Sequence, residues 1–345
     1  MKALVKTKPG FGNLELLDQP NPSPKADEVK IKVHYAGICG TDVHTYEGHY
    51  KVNFPVTLGH EFAGEIIEVG ENVENLKVGD RVTSETTFYI CGECEYCQTK
   101  DYNLCNHRKG LGTQQNGGFT QYLVARAESV HILPNNVSYR SAAMTEPLAC
   151  AYHAVSKIEV SQGDIAVIMG PGPIGLLVAQ VVKSKGATVV ITGLDNDKER
   201  LEKAQELNLD HVVNIQHNDL KQYVNDITDG YGANIVLECS GAVPAARQGL
   251  DILRKKGSYV QIGIFKDPEI PFDLDKIIQK EIRVVGSRSQ KPADWEPSLQ
   301  LLSSGAVNAE TLVTTELDIT QWDEGYQHIK GGDGIKVLLR PVDEC

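Results

Sequence analysis

The sequence predicts an α/β protein with two domains, one rich in β-strands and one built on a doubly wound parallel sheet. At 345 residues the chain is longer than one ordinary hydrophobic core supports. The first half contains short β-type runs broken by Gly, Pro, Asn and Asp. The second half alternates apolar strands with helical segments, which is typical of a parallel sheet covered by helices.

The charge and the N-terminus exclude some classes of partner. A net charge of -12 disfavours binding to nucleic-acid phosphates or to anionic membrane surfaces. The N-terminal stretch "MKALVKTKPGFGN" turns polar before an apolar core of signal-peptide length accumulates, and no later run reaches the roughly 18 residues of a membrane span. We therefore expect a cytoplasmic protein with neither nucleic acid nor a membrane among its partners.

The β-type runs lie between Met1 and about Tyr152. They are "VKIKVHYAGI", "FAGEIIEVG", "DRVTSE" and "FTQYLVA", and no periodic segment of helix length interrupts them before the region after Pro147. Such spacing predicts a compact β domain.

Three stretches of this half carry residue types that bind metals. "AGICGTDVHTYEG" contains Cys39, "TLGHEFAGEI" contains His60 and Glu61, and "MTEPLACAYHA" contains Glu146. One thiolate, one imidazole and one carboxylate can bind zinc and leave a fourth position open to water or a substrate oxygen, which indicates a catalytic site. Each residue alone is weak evidence, and their separation in sequence leaves open whether they meet.

Half of the eight cysteines fall within one polar loop, "CGECEYCQTKDYNLC". In a reducing compartment, clustered cysteines indicate metal ligands or reactive thiols rather than disulfides. Four thiolates give zinc a closed tetrahedral shell, so the predicted role is structural. An iron–sulfur cluster is the rival, but the last Cys comes too late for the bacterial ferredoxin run and lacks its following Pro. The predicted ligands are Cys91, Cys94, Cys97 and Cys105.

The second half opens with a dinucleotide fingerprint. "DIAVIMGPGPIGLLVAQVVKSKG" reads as an apolar strand, a G-x-G-x-x-G turn and an amphipathic helix ending near Gly186. The glycines permit a tight turn and close approach of a pyrophosphate to the helix N-terminus. A non-enzymatic nucleotide sensor could share this sheet, so the fold alone does not establish chemistry. The predicted cofactor-binding residues are Gly170, Gly172, Pro173, Ile174 and Gly175.

The choice between NAD and NADP depends on the end of the second strand. An acid is expected there to bind the adenosine ribose. The stretch "VVITGLDND" has Gly193 at this place, and Asp195 lies slightly beyond it, within reach of the ribose hydroxyls. A missing carboxylate removes repulsion from a 2′-phosphate, which Lys198 or Arg200 could then approach. Both cofactors remain open.

With these motifs assembled, the chain resembles the zinc-containing medium-chain dehydrogenases over essentially its full length. "GHEFAGEIIEVGENVENLKVGDRV" is similar to their zinc signature, the four-Cys loop to their structural-zinc lobe and "GPGPIG" to their dinucleotide fingerprint. The resemblance implies a GroES-like catalytic domain formed by residues 1–152 and 287–345, and a Rossmann domain formed by residues 153–286. It also implies a cleft between them that holds the catalytic zinc, and we expect a homo-oligomer, a dimer or a tetramer.

By motif match, the resemblance implies that Cys39, His60 and Glu146 bind the catalytic zinc and that Glu61 can approach it. The Glu-Pro pair of "TEPLA" is similar to the polyol dehydrogenases of the family. The implied reaction is oxidation of a secondary hydroxyl of a polyol or polyol phosphate to a ketose, through an alkoxide stabilised by zinc and hydride transfer to NAD or NADP.

The proton also needs a route out of the site. The Thr41 hydroxyl can accept the proton from the substrate, and the His44 imidazole is the next proton acceptor. Two alternatives stay open: an L-threonine 3-dehydrogenase-like enzyme acting on an amino alcohol, and a non-catalytic NAD(P)-binding sensor.

Overall fold

The computed structural model describes residues 1–267 and 269–342, which form two compact units. Unit 1 comprises Met1–Ala149, Gln290–Ser303 and the chain from Ala309 onward, and unit 2 comprises Cys150–Ser289 and Ser304–Asn308. The domain boundaries proposed from the sequence, after residues 152 and 286, stay a prediction.

Unit 1 begins as a β-rich structure. Its strands before residue 150 are β1 (Lys2–Lys6), β2 (Leu14–Asp18), β3 (Glu28–Gly37), β4 (Val56–Thr57), β5 (Glu61–Val69), β6 (Arg81–Ser84), β7 (Thr87–Tyr89), β8 (Lys109–Gly110), β9 (Tyr122–Arg126) and β10 (Val130–Ile132). The helices that begin in this part are α1 (Gly40–Tyr46), α2 (Glu95–Gln98), α3 (Tyr139–Ala142) and α4 (Thr145–Ser156).

Three short helices, α1, α2 and α3, lie before Pro147, where the sequence shows no periodic segment of helix length. They have seven, four and four residues, too few for apolar positions to repeat with a helical period. Helix α4 begins at Thr145, whereas the sequence predicts its start after Pro147. The strand predictions for β3, β5, β6 and β9 are confirmed.

Unit 2 is built on one parallel sheet. Its strands are β11 (Ile165–Met169), β12 (Thr188–Gly193), β13 (His211–Asn214), β14 (Ala233–Glu238), β15 (Leu253–Gln261) and β16 (Arg283–Gly286). Its helices are α5 (Pro173–Ser184), α6 (Lys198–Glu206), α7 (Leu220–Ile227), α8 (Val243–Ile252) and α9 (Asp275–Lys280). The strands lie in the order β13-β12-β11-β14-β15-β16 and all pair in parallel. This arrangement confirms the predicted doubly wound sheet.

The chain then returns to unit 1. The last elements are α10 (Trp295–Ser304), β17 (Val313–Asp318), α11 (Trp322–Gly331) and β18 (Lys336–Arg340). Strand β18 pairs antiparallel with β3, so the main sheet of unit 1 has the order β10-β6-β5-β3-β18-β17, with β9 also paired to β3. The C-terminal segment therefore completes a sheet that the N-terminal half begins.

Each unit has its own hydrophobic core. In unit 1, Ile31, Phe62 and Leu123 are buried in one cluster with their neighbours on the paired strands. In unit 2, the runs "AVIM" of β11 and "VVI" of β12 are buried on both faces, as expected for a parallel sheet covered by helices. Among the described residues, no helix combines the length and the apolar character needed to cross a bilayer.

We expect that Leu250→Ala destabilises unit 2. Leu250 lies on α8, is 0% exposed and belongs to the core cluster of this unit. Removing a buried Leu side chain loses apolar burial and leaves a cavity, which together cost about 2–5 kcal/mol of unfolding free energy. Denaturant unfolding followed by circular dichroism measures this loss.

The matched control is Leu274→Ala, because Leu274 is 64% exposed in the same unit. Its unfolding free energy should change by less than about 0.5 kcal/mol. Equal losses in the two variants would contradict the assignment of Leu250 to the core.

Candidate active site and metal centres

The structure brings Cys39, His60 and Glu61 together in unit 1. One ligand atom of each residue lies within 4.8 Å of those of the other two. The pairing of β3 with β5 causes this convergence. It sets Glu61 opposite Gly37, and Gly37 lies two residues before Cys39. A thiol, an imidazole and a carboxylate in this proximity are a donor set that fits zinc.

Asp42 is a further member of this site that the sequence analysis did not single out. Its carboxylate is buried, accepts a hydrogen bond from the Cys39 backbone N–H at 2.9 Å, and lies 3.8 Å from Nδ1 of His60. Burial by itself lowers the pKa of His60, but the negative charges of Asp42 and Cys39 outweigh it and raise that pKa well above its usual range. At 3.8 Å this contact is longer than a hydrogen bond, so Asp42 acts on His60 through its charge.

Glu61 forms an ion pair with Lys336, and both side chains are almost fully buried. The pair crosses β3 at Gly37, where a Cβ would collide with Oε2 of Glu61 and lie 2.9 Å from Cε of Lys336. Burial lowers the pKa of Lys336, but the charges of Glu61 and Cys39 raise it more, so the ammonium stays charged. The sequence analysis missed Lys336, although a Lys opening the apolar strand "KVLLR" was a usable signal.

Glu146 lies in the first turn of α4 and is 7% exposed. It is not part of the group that Cys39, His60 and Glu61 form within 4.8 Å. Burial and the nearer charges have larger effects on the pKa of His60 and of Lys336, but the Glu146 carboxylate also raises both values. Glu146 therefore lies in the neighbourhood of these two residues. Its role as the third ligand stays a prediction.

The two predicted proton-relay residues lie on α1. Thr41 and His44 are three positions apart, which places them on the same side of the helix. Thr41 is half-buried, whereas the His44 side chain is 64% exposed. This side of α1 therefore leads from Thr41, two residues after Cys39, to the solvent at His44. The proton relay itself stays a prediction.

The four cysteines of the polar loop also converge. Their Sγ atoms are 3.5 Å apart for Cys94 and Cys97, 3.7 Å for Cys91 and Cys105, and 3.8 Å for Cys91 and Cys97. These distances are far longer than a disulfide bond of about 2.05 Å. A tetrahedral zinc with Zn–S bonds of about 2.3 Å separates its sulfurs by about 3.8 Å. The donor set therefore fits a closed tetrahedral metal site.

The environment of the thiols differs within this cluster. Hydrogen bonds from the backbone N–H groups of Glu93 and Cys94 lower the pKa of Cys91 to about 6. Burial raises the pKa of Cys97 to about 12. A bound cation would favour the thiolate form of every ligand, because metal binding displaces the thiol proton.

The dinucleotide fingerprint lies in unit 2 between β11 and α5. Gly172 caps α5 and Pro173 is its first residue, a position that needs no backbone donor. A Cβ at Gly175 would collide with the Gly170 carbonyl oxygen, so glycine permits the helix to pack closely on the strand end. The N–H groups of the first turn lack intrahelical acceptors and fit a pyrophosphate. Binding by Gly170, Gly172, Pro173, Ile174 and Gly175 stays a prediction.

The residues proposed to select the cofactor already have partners within unit 2. Gly193 is the last residue of β12, and Asp195 follows it with a half-exposed carboxylate. Oδ1 of Asp195 accepts hydrogen bonds at 2.7 Å from Asn214 Nδ2 and pairs with His217 Nε2 at 2.7 Å. Arg200 forms an ion pair of 3.3 Å with an aspartate of the preceding turn. The roles of Asp195 and Arg200 in cofactor binding stay predictions.

Comparison with known proteins identifies the family. Residues 25–135 match the model of the alcohol dehydrogenase GroES-like domain, and residues 173–304 match that of zinc-binding dehydrogenases. The chain is 62% identical to a sorbitol dehydrogenase of Halalkalibacterium halodurans over 99% of this chain and 100% of that protein. The chain therefore belongs to the zinc-binding, medium-chain dehydrogenase family, and the predicted GroES-like and Rossmann fold classes are confirmed.

Two further relatives bear on substrate and cofactor. The chain is 49% identical to a D-arabitol-phosphate dehydrogenase of Enterococcus avium over all of this chain and 98% of that protein. From the sequence alone, the stretches "SETTFYICGECEYC", "RKGLGTQQNGG" and "VVGSRSQ" predict similarity to an enzyme of this kind. A zinc-binding dehydrogenase structure from Sinorhizobium meliloti, bound to NADP, has a TM-score of 0.91 at 27% identity and covers 99% of each chain.

We expect that Lys336→Met strongly destabilises unit 1. The substitution leaves the Glu61 carboxylate buried without its cationic partner, which costs about 3–5 kcal/mol. Denaturant unfolding of the metal-loaded protein measures the loss. The double variant Lys336→Met with Glu61→Gln removes both charges and should recover most of the lost free energy.

Lys2→Met is the control for charge removal at the surface, because Lys2 and Asp18 form a 2.7 Å ion pair with side chains 46% and 77% exposed. This variant should unfold at nearly the same denaturant concentration as the wild type, because exposed ion pairs contribute little to stability. An equally small change for Lys336→Met would contradict the importance of the buried pair.

Proposed function

We propose that this chain oxidises a secondary hydroxyl of a polyol, free or phosphorylated, to the corresponding ketose with zinc and NAD or NADP. The observation that carries the proposal is the convergence of Cys39, His60 and Glu61 in unit 1, beside the buried Lys336. The 62% identity to a sorbitol dehydrogenase and the 49% identity to a D-arabitol-phosphate dehydrogenase support this substrate class.

The catalytic zinc would be held by Cys39, His60 and Glu146, with Glu61 able to approach it. When bound, zinc supplies positive charge that stabilises the substrate oxygen as its proton leaves, and the nicotinamide accepts the hydride. Asp42 places a negative charge beside His60, and Lys336 forms a buried ion pair with Glu61. These side chains fix the donor set before substrate enters.

Thr41 and His44 would move the proton. The Thr41 hydroxyl accepts it from the substrate hydroxyl and donates its own proton onward, and the exposed His44 imidazole passes it to water. The short helix α1 fixes both residues relative to Cys39, which immediately precedes it.

Cys91, Cys94, Cys97 and Cys105 would hold a second, structural zinc. All four ligands come from the protein, so this metal has no open position for a substrate. Its role is to fold a loop whose own sequence is too polar to form a core.

Either nicotinamide cofactor fits the residues present. Gly193 itself brings no carboxylate to the end of β12, and Asp195, whose Oδ1 already binds Asn214 and His217, is the acid proposed for the ribose hydroxyls. A homo-oligomer, dimer or tetramer, is also part of the proposal. Strand β16 is an unpaired sheet edge within the described residues and exposes Val284, and the preceding helix α9 exposes Ile278.

A substrate screen tests the proposed function. Free and phosphorylated pentitols and hexitols are offered with NAD and with NADP, and reduced cofactor is followed by its absorbance. We expect turnover with at least one polyol or polyol phosphate. Turnover on L-threonine alone would favour the amino-alcohol alternative, and cofactor binding without any turnover would favour the sensor.

The variant His60→Ala links this activity to the metal site. Metal charge stabilisation is worth several kcal/mol and each 1.36 kcal/mol is tenfold in rate, so kcat/KM should fall about 10³-fold or more. Binding of reduced dinucleotide, measured by fluorescence titration, should be unchanged. Unchanged kcat/KM would reject the assignment of His60.

We expect that Cys94→Ser removes the structural zinc. A hydroxyl replaces one of four thiolates, so metal analysis should show about one zinc ion fewer per chain. The loop from Cys91 to Cys105 should then be cleaved first in limited proteolysis, because metal binding stabilises its fold. Cys239→Ala, in unit 2, should keep the full zinc content. A Cys94→Ser protein with full zinc content and unchanged cleavage would contradict the proposal.

A further inference from the structure

A second group of metal-binding side chains lies at the end of α1. His44, Glu47 and His49 each contribute one ligand atom, and these atoms lie within 4.8 Å of one another. Glu47 and His49 have no part in the proposed reaction, in which His44 carries a proton. The group combines two imidazoles with one carboxylate.

The spacing of these atoms suits a small transition-metal ion. Oε2 of Glu47 lies 3.7 Å from Nδ1 of His44 and 3.6 Å from Nδ1 of His49. Zinc bonds of about 2.0–2.2 Å to nitrogen and oxygen separate neighbouring ligands of a tetrahedral ion by about 3.4 Å. The two distances from Glu47 are thus within a few tenths of an ångström of the tetrahedral value, and all three ligand atoms lie within 4.8 Å of one another on side chains that can still adjust.

The backbone holds the three residues in place. The N–H groups of His49 and Tyr50 both donate to the His44 carbonyl oxygen, at 2.9 and 3.2 Å, and the Glu47 N–H donates to the Val43 carbonyl at 2.9 Å. The chain thus turns back at the end of the helix, which places His49 next to His44. The ligand positions are organised before any ion binds.

Glu47 is held from its other side by a cation. Nζ of Lys330, on α11, lies 3.2 Å from Oε1 of Glu47, while Oε2 faces the two imidazoles. The hydrogen bond from Lys330 lowers the pKa of Glu47, so the group is a carboxylate at neutral pH. Carboxylates that bind metals commonly accept a hydrogen bond on their second oxygen, which fixes their orientation.

We propose that His44, Glu47 and His49 form a third metal site that binds a divalent transition ion, zinc in the first instance. Two imidazoles and a carboxylate are ligands that zinc uses when one position stays open to water. The histidine side chains are 64% and 70% exposed, so the ion enters directly from solvent and exchanges with it.

Occupation of this site inhibits the enzyme. An imidazole nitrogen that binds an ion is no longer available to accept a proton, so the route through His44 is interrupted. Surplus zinc then slows the oxidation without displacing the catalytic or the structural ion. This consequence rests on the proposed function, whereas the binding of the ion does not.

Calorimetric titration of the zinc-loaded enzyme with zinc chloride tests the site without turnover. We expect one further zinc ion per chain in the wild type, and at least tenfold weaker binding in His49→Ala and in Glu47→Gln. His217→Ala is the matched control, because His217 is an exposed histidine of unit 2 whose side chain is 66% exposed and pairs with an aspartate. It should bind like the wild type. Absence of the further ion in the wild type, or equal binding in His49→Ala, overturns the site.

Steady-state rates at increasing zinc test the consequence. His49→Ala should have the wild-type rate without added zinc, because His49 has no part in the reaction. It should need at least tenfold more zinc for half-inhibition than the wild type or His217→Ala. A further ion that binds to His44, Glu47 and His49 without slowing the wild type overturns the inhibition and the relay through His44, and leaves the metal site standing.

Discussion

The buried ion pair between Glu61 and Lys336 is the interaction on which the proposed catalytic site depends. A carboxylate and an ammonium removed from water are each costly, and they are tolerated together because each compensates the other. The pair joins β5 from the first half of the chain to β18 from its end, across Gly37 of the strand between them. The sheet therefore closes correctly only when the C-terminal segment returns.

The charge of the site explains why it suits a cation. Cys39, Asp42, Glu61 and Glu146 bring acidic groups to one buried region, and Lys336 offsets one of them. A divalent ion bound among the remaining groups offsets two more, and a dry environment strengthens that attraction. The same positive charge is what a hydroxyl oxygen needs when it loses its proton. The donor set and the chemistry thus follow from a single electrostatic requirement.

Helix α1 connects this buried region with the surface within seven residues. Asp42 points into the protein and is 2% exposed, whereas the His44 side chain is 64% exposed. In the proposed function, residues of this one short helix place a charge beside a metal ligand, carry a proton and contribute to the surface metal group with Glu47. Because these proposed roles share one element, the proposed proton route and the ion proposed to block it lie side by side.

The sequence by itself determined the features whose signals are local. The four-Cys loop and the glycine fingerprint each lie within a short stretch of sequence. The alternation of strand and helix periods in unit 2 predicts its parallel sheet. Only the tertiary structure decided which distant groups meet: Asp42 with His60, and Glu61 with Lys336. Their contacts arise from strand pairing between remote segments, and no local pattern encodes which strands pair. Helix α1 escaped prediction because seven residues are too few to show a period.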